Sequence, residues 1–534
     1  MELIRSGGVL AHPTSFPGPY GVGDLGSGAY AFIDFLRKAG QTLWQILPLS
    51  PTSYGDSPYQ SFSAFAGNHY LISPEMLIKE GYLAEADAEP FPGDPSRIDY
   101  GEVIPHKMAI YRKAYASFKQ KAKNKNLFTR WCGQNKDWLE SYALFVAIKQ
   151  HYIDERRDLP DPAELEKYRA ENAAYLTGDQ INDFYYGAVW NSWQEPLARH
   201  EPAAVREMAK RLSDEIDFHK FLQYEFFREW RLLKEYANEN GIGVVGDIPI
   251  FVAMDSADVW AEPGLYHLDE YGRPKEVAGV PPDYFSETGQ LWGNPLYHWE
   301  AHKKSGYEWW IKRVASVLKT VDAVRIDHFR GFEAYWAVPY GEKTAVNGKW
   351  KKGPGKDLFD AMKKKLGELP IIAEDLGVIT EKVNRLRKGL KLPGMRVLHF
   401  AFSPDGKNAF MPHNIDDTDT VIYTGTHDND TTVGWYAAAP EAERDYLRRY
   451  LNVSGEDVAW DLIRLAYSST AKYAVVPVQD VLNLGTEHRM NYPGEPSGNW
   501  QFRYTAGMLT EEHAERLAYL SQLYNRKPAN AILQ

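Results

Sequence analysis

Apolar positions along the 534-residue chain fall into two alternating periods. "GGVLAHP" reads as a buried strand, and Phe32, Phe35, Leu36 and Ala39 then recur at i, i+3, i+4 and i+7 before Gly40 stops the helix. "TLWQILPL" follows as a second strand, which completes a strand–helix–strand unit. The same grammar returns. A helix with Trp310, Val314, Val317, Leu318 and Val321 on one face leads into "AVRIDHF"; one around Phe359, Met362 and Leu366 leads into "PIIAEDLG"; one opened by Thr380, with Val383, Leu386 and Leu390 inward, leads into "GMRVLHFAF". The strand candidates number eight, at about 7–13, 42–49, 243–250, 323–329, 370–376, 395–402, 420–427 and 473–479. Near-continuous apolar strands separated by helices predict a parallel sheet covered on both faces, and eight of them predict closure. The expected class is α/β, a (β/α)8 TIM barrel with inserted, mostly helical subdomains on the barrel loops. A doubly wound open sheet is the alternative that periodicity leaves open.

Two intervals break the repeat. Residues of about 70–215 are charged and mostly helical, with Pro-rich punctuation at "EPFPGDPSR" and "RDLPDPAE", and read as an inserted subdomain. Residues of about 251–300 are aromatic and rich in Gly and Pro, and read as an inserted active-site loop region. The expected organisation is therefore one catalytic barrel over residues 1–534 carrying both insertions.

Charge and composition narrow the partners. A net charge of −11 without a long basic run argues against nucleic acid and against anionic membrane surfaces. One cysteine, Cys132, leaves no internal disulfide and no paired zinc motif. "MELIRSGGVLAHPTSFPG" lacks the apolar core of a signal peptide, and no apolar run reaches membrane-spanning length, so a cytoplasmic location is expected. Aromatic residues make up 14% of the chain, with 34 Tyr and 16 Trp, which suits either a large core or the flat apolar faces of sugar rings.

Several strand candidates end in acids, which strand physics alone does not require. "VVGDIPI" carries Asp247, "VRIDHF" Asp327, "IIAEDLG" Glu374 and Asp375, and "YTGTHDND" Asp428 and Asp430. A lone buried carboxylate is costly, so these acids belong in a polar mouth, which in a parallel barrel lies at the C-terminal strand ends. Strand alternation puts Arg325 and Asp327 on one face, where the guanidinium keeps the aspartate ionised. Glu374 shares the face of Ile372, an apolar neighbour that favours its protonated form. One ionised and one protonatable acid is the division of labour that retaining glycoside cleavage needs. Asp428 could brace sugar hydroxyls and the developing positive charge. Other readings stay open at this point: an Arg325–Asp327 ion pair tying strands together, a helix-capping Glu374, turn-forming Asp428 and Asp430, or a metal site drawing on His328 and His427.

"GDIPI", "VRIDHFRG", "IIAEDLG" and "TGTHDND" resemble, in order, the four signature segments of the α-amylase superfamily. "PLSPTSYGDSPYQSFSAFAGNHYLI", "GVPPDYFSETGQLWGNPLY" and "RMNYPGEPSGNWQFR" resemble, more narrowly, the 4-α-glucanotransferases of the amylomaltase or disproportionating-enzyme family. With its first strand near residue 7 the chain is expected to resemble the compact members, and His69 stands where the family usually has proline. The resemblance implies a retaining double displacement with Asp327 as nucleophile, Glu374 as general acid/base and Asp428 as transition-state stabiliser. It implies Arg325 and His427 as supports, Tyr54 and Trp260 as aromatic positions that hold glucan, and a loop over the site at about 281–289. The full set of candidate substrate-binding residues is Arg325, His427, Tyr54, Tyr59, Trp260, Asp247 and Asn294. The expected partners are malto-oligosaccharides, starch or glycogen chains and glucose, with no cofactor and no catalytic metal. "YGDSPYQ" and "VPPDYFSETGQLWG" are expected to shield the site from bulk water, so that a sugar hydroxyl competes with water for the intermediate. A glucan hydrolase using the same three acids, and an inactive glucan-binding protein, are the competing functional readings.

Overall fold

The computed structural model describes residues 5–121, 125–156, 170, 189–282, 286–495 and 497–526. Eight parallel strands occupy the eight predicted places: β1 (Ser6–Leu10), β2 (Leu43–Gln45), β3 (Gly243–Pro249), β6 (Ala323–Asp327), β9 (Ile371–Ala373), β10 (Gly394–Val397), β11 (Thr420–Tyr423) and β12 (Tyr473–Pro477). They pair in the spatial order β10, β11, β12, β1, β2, β3, β6, β9. The ring closes where the Ala373 N–H donates to the Pro393 carbonyl at 2.9 Å, joining β9 to the entry of β10. This is the predicted (β/α)8 barrel, and the open-sheet alternative falls.

Each strand is shorter than its apolar run because the chain leaves the ladder as soon as it reaches the mouth. β6 stops at Asp327, since His328 takes a left-handed conformation (φ 53°) and a 3-10 turn follows at Phe329–Phe332. Close packing between β1 and β2 explains "GG" in the first strand: a Cβ on Gly8 would lie 2.6 Å from the Leu43 carbonyl oxygen.

Within about 70–215 the described residues form helices at Tyr100–Gln120, Lys125–Arg156 and Pro202–Arg211, and Ser213–Glu239 leads on into β3; residues 157–169 and 171–188 lie outside the described part. The interval 251–300 holds two strands that the periodicity did not show, β4 (Glu276–Val280) and β5 (Gln290–Pro295). With β7 (Ala334–Pro339) and β8 (Lys349–Lys352) they form a four-stranded antiparallel sheet in the order β5, β4, β7, β8. One face buries Ala278, Tyr335 and Ala337 in the main core, while Val277 and Val338 on the other join Ala345 in a small separate cluster. No helix among the described residues is long and apolar enough to cross a membrane.

Candidate active site

The register Asp247↔Arg325 between β3 and β6, and Ile326↔Ala373 between β6 and β9, brings three acidic strand ends together. Arg325 is the hub. Its guanidinium donates to Asp247 Oδ2 at 2.5 Å and to Asp327 Oδ1 at 2.7 Å, and the arginine is itself buried. Exposure separates the two partners: the Asp247 side chain is sealed at 0%, whereas Asp327 keeps 28% of its surface open to the mouth. Asp247 therefore fixes the arginine, and Asp327 is the acid a ligand can reach. Tyr59 completes the buried side by donating its hydroxyl to Asp247 Oδ2 at 2.8 Å. Enclosure raises the Asp247 carboxyl to about 6, against the pull of Arg325.

Glu374 follows β9 and sits beside the end of β6. Its Oε2 accepts the backbone N–H of His328 at 2.7 Å and its Oε1 that of Leu376 at 2.7 Å, so the carboxyl is held by two main-chain donors from different loops. Enclosure, reinforced by the charge of Asp327, pushes Glu374 up to about 8 despite Arg325 and these two donors. The left-handed turn at His328 aims that donor at Glu374, and the Trp292 ring packs edge-on against the His328 ring at 4.8 Å.

Asp428 comes from the loop after β11. Turn formation in "THDND" falls to its neighbours: Asn429 Oδ1 accepts from the Thr426 N–H and hydroxyl, while Asp430 accepts from the Thr431 N–H and the Thr486 hydroxyl. Asp428 is left free to face the mouth with 44% of its side chain exposed, 3.3 Å from His427 Nε2. Enclosure alone would raise its carboxyl, but His427, the Asn491 amide and Arg325 together hold it well below the usual carboxylate range. Burial would lower His427, and Asp428 outweighs that and raises it. His427 stacks on Tyr59 at 5.0 Å, with Trp500 at 6.0 Å.

Asp375 is sorted out of the site: it ion-pairs with Arg387 at 3.1 Å and accepts the Met395 N–H at 2.7 Å, fastening β9 to β10. Two expected glucan contacts also need correcting. Trp260 is fully buried; its indole N–H donates to the Leu197 carbonyl at 2.9 Å and its rings pack against Trp193, Phe145 and His200. It has no face to offer a sugar. Asn294 is buried and donates to the Val252 carbonyl at 2.8 Å, bracing the segment after β3. The side chain of Tyr54 lies outside the described residues, as do residues 283–285 of the expected covering loop.

Asn491, Arg489 and Trp500 carry site contacts that motif reading passed over. Asn491 donates to Asp428 Oδ1 at 2.6 Å and Arg489 to the Asp428 carbonyl at 2.6 Å. All three lie in "RMNYPGEPSGNWQFR", so the signal was present as a segment without a role for its residues. Among the described residues no group of three or more His, Cys, Asp or Glu is placed to hold a metal ion.

The arrangement is thus a solvent-open aspartate on an arginine, a proton-holding glutamic acid on the adjoining strand, and a histidine-paired aspartate across the mouth. Comparison with known proteins identifies the family. Residues 11–510 match the model of the family described as 4-alpha-glucanotransferase. The chain is 48% identical to the 4-alpha-glucanotransferase of Thermus thermophilus over 98% of this chain and 100% of that one. It is 47% identical to the Synechocystis enzyme of the same name over 98% of each. Among solved structures it matches an amylomaltase from Streptococcus agalactiae in complex with acarbose, at a TM-score of 0.89 and 38% identity, over 98% of this chain and 99% of that one. With its near-complete coverage of these relatives, the chain belongs to the 4-alpha-glucanotransferase family.

Proposed function

We propose that the chain cleaves an α-1,4 bond of a malto-oligosaccharide, starch or glycogen chain and transfers the glucan segment to the 4-hydroxyl of an acceptor glucan or glucose. The observation that carries this reading is the pairing, on adjoining strands, of Asp327 on Arg325 with Glu374 pushed up to about 8.

In the first step Glu374 gives its proton to the glycosidic oxygen as Asp327 attacks the anomeric carbon; the bond to the leaving chain breaks and a glycosyl–aspartate ester forms. In the second, the Glu374 carboxylate takes the proton of the acceptor 4-hydroxyl, whose oxygen attacks the same carbon and releases Asp327. Two inversions retain the α configuration. Asp428, with His427, stabilises the charge that develops on the sugar and holds its hydroxyls. Arg325, anchored by Asp247, keeps Asp327 in place, and Tyr59 locks that anchor. Transfer wins over hydrolysis to the extent that the acceptor displaces water, and Trp292 against His328 and Tyr59 against His427 supply the apolar walls that favour this. The single cysteine, which leaves no internal disulfide, fits a cytoplasmic setting.

The test is incubation of the purified protein with maltotriose alone, with products resolved by chain length, beside Asp327→Ala. Maltopentaose and longer chains appearing together with glucose, and lost in the variant, are expected. Glucose and maltose alone would make the protein a hydrolase, and products persisting in Asp327→Ala would remove the nucleophile.

A further inference from the structure

Outside the carboxylate cluster, the rim of the barrel carries an indole held in place for no purpose the mechanism uses. Trp350 on the edge strand β8 is 40% exposed, in a sheet whose own small core does not cover it. It stands opposite Trp336 of β7, which packs edge-on at 5.1 Å. The guanidinium of Arg330 lies over the Trp350 ring at 3.8 Å. Arg330 is only 6% exposed, its Nε has no hydrogen-bond partner among the described residues, and its other arm donates to the Val378 carbonyl. Val378, 49% exposed, is the second open apolar side chain at this place.

Both anchors lead back to the site. Arg330 is three residues beyond Asp327, and Val378 is four residues beyond Glu374. One buried arginine therefore joins the loop of the nucleophile, the loop of the acid and the exposed indole into one unit. The acid protonates the leaving chain, and the acceptor enters where that chain departs, so the loop after Glu374 lies on the acceptor side. We propose that Trp350, with Val378 beside it, is a stacking platform for the α-1,4-glucan chain on the acceptor side, several sugars from the reacting bond; this rests on the transfer reaction proposed above. A rigid flat indole, steadied by a cation on its ring, matches the apolar face of a neutral sugar ring. Its contribution is to chain-length preference, not to chemistry.

The experiment compares KM and kcat for maltotriose and maltoheptaose in the wild type, Trp350→Ala and Trp350→Phe. In Trp350→Ala the KM for maltoheptaose should rise about three- to tenfold with kcat held, since one aromatic stacking contact is lost. The KM for maltotriose, too short to span the reacting bond and the platform together, should stay unchanged. Trp350→Phe keeps a flat face and should recover most of the loss, which separates stacking from damage to β8. Equal changes for both sugars, or none for either, would overturn the platform. Should the protein turn over neither sugar, the proposed reaction fails but the platform is still decided by native electrophoresis in a glycogen-containing gel. Retardation of the wild type that is reduced in Trp350→Ala supports it, and equal mobility overturns it.

Discussion

At the scale of single residues, the site separates two acids on neighbouring strands by what surrounds them. Asp327 is open and bonded to a buried arginine, whereas Glu374 is enclosed and feels the charge of Asp327. An acid raised from 4.5 to about 8 keeps its proton in the folded state over a pH range where the unfolded chain has released it. Unfolding then releases a proton, so stability falls as pH rises across that window. Two outcomes are expected. The rate kcat/KM should decline on the alkaline side with an apparent pKa near 8, as the general acid is lost. Glu374→Gln, inactive, should gain thermal stability relative to the wild type at pH 9 and little at pH 4. Melting curves at the two values decide it; an equal difference at both would remove the raised acid. Parity made Arg325, Asp327 and Glu374 legible, because alternation along a strand is a local rule. Asn491 and Trp500 reach the same site from a segment some sixty to seventy residues past Asp428, and no periodicity carries that information.

At the scale of elements, buried runs are easier to read than half-covered ones. The eight barrel strands announce themselves because both faces are buried, giving continuous apolar stretches such as "TVIY" and "YAVVP". β4 and β8 do not: "EVAGV" holds a glycine, and "KWKK" reads as a solvated charge run although it pairs with β7. Trp260 shows the limit of a resemblance: an aromatic residue matched to a glucan-holding position of the family is fully buried here. It lies in the short helix Ala257–Ala261 and is the apolar plug between that helix and Lys125–Arg156, where Phe145 meets it. Trp260→Ala should therefore cost about 3–5 kcal/mol of stability, the usual range for emptying a large aromatic site in a core. Its KM for maltotriose should match the wild type in the folded protein. Urea unfolding beside steady-state kinetics tests this; a raised KM at unchanged stability would restore Trp260 as a sugar contact.

At the scale of the whole molecule, the barrel divides its labour between its two ends. The C-terminal strand ends gather acids around the mouth, two of them, Asp327 and Asp428, open to solvent, and the opposite end gathers carbonyls around an arginine. Arg526, fully buried, donates to the main-chain oxygens of Ser6, Ala466, Tyr467, Ser469, Ala471 and Lys472, tying the starts of β1 and β12 to the end of the helix Val458–Ser468. No acid ion-pairs with it among the described residues, and burial, with Arg5 nearby, pushes it down to about 9. In the sequence it is one more cation near a chain end, which is why nothing marked it. It shares most of these carbonyls with other donors, since Arg5 also donates to Tyr467, Ser469 and Ala471 and the Ser6 N–H to Lys472, and its work is to gather all six at one point through charge-assisted bonds. Arg526→Met fills much of the same space and removes all of the bonds this side chain donates, so it should destabilise the protein by on the order of 3 kcal/mol, the worth of one or two hydrogen bonds from a charged donor. Because the acids sit at the far end of the strands, kcat/KM for maltotriose below the unfolding transition should stay at the wild-type value. An unchanged urea midpoint would show that the carbonyl cluster does not hold the barrel shut, and a lost kcat/KM at full folding would show that the two ends are coupled.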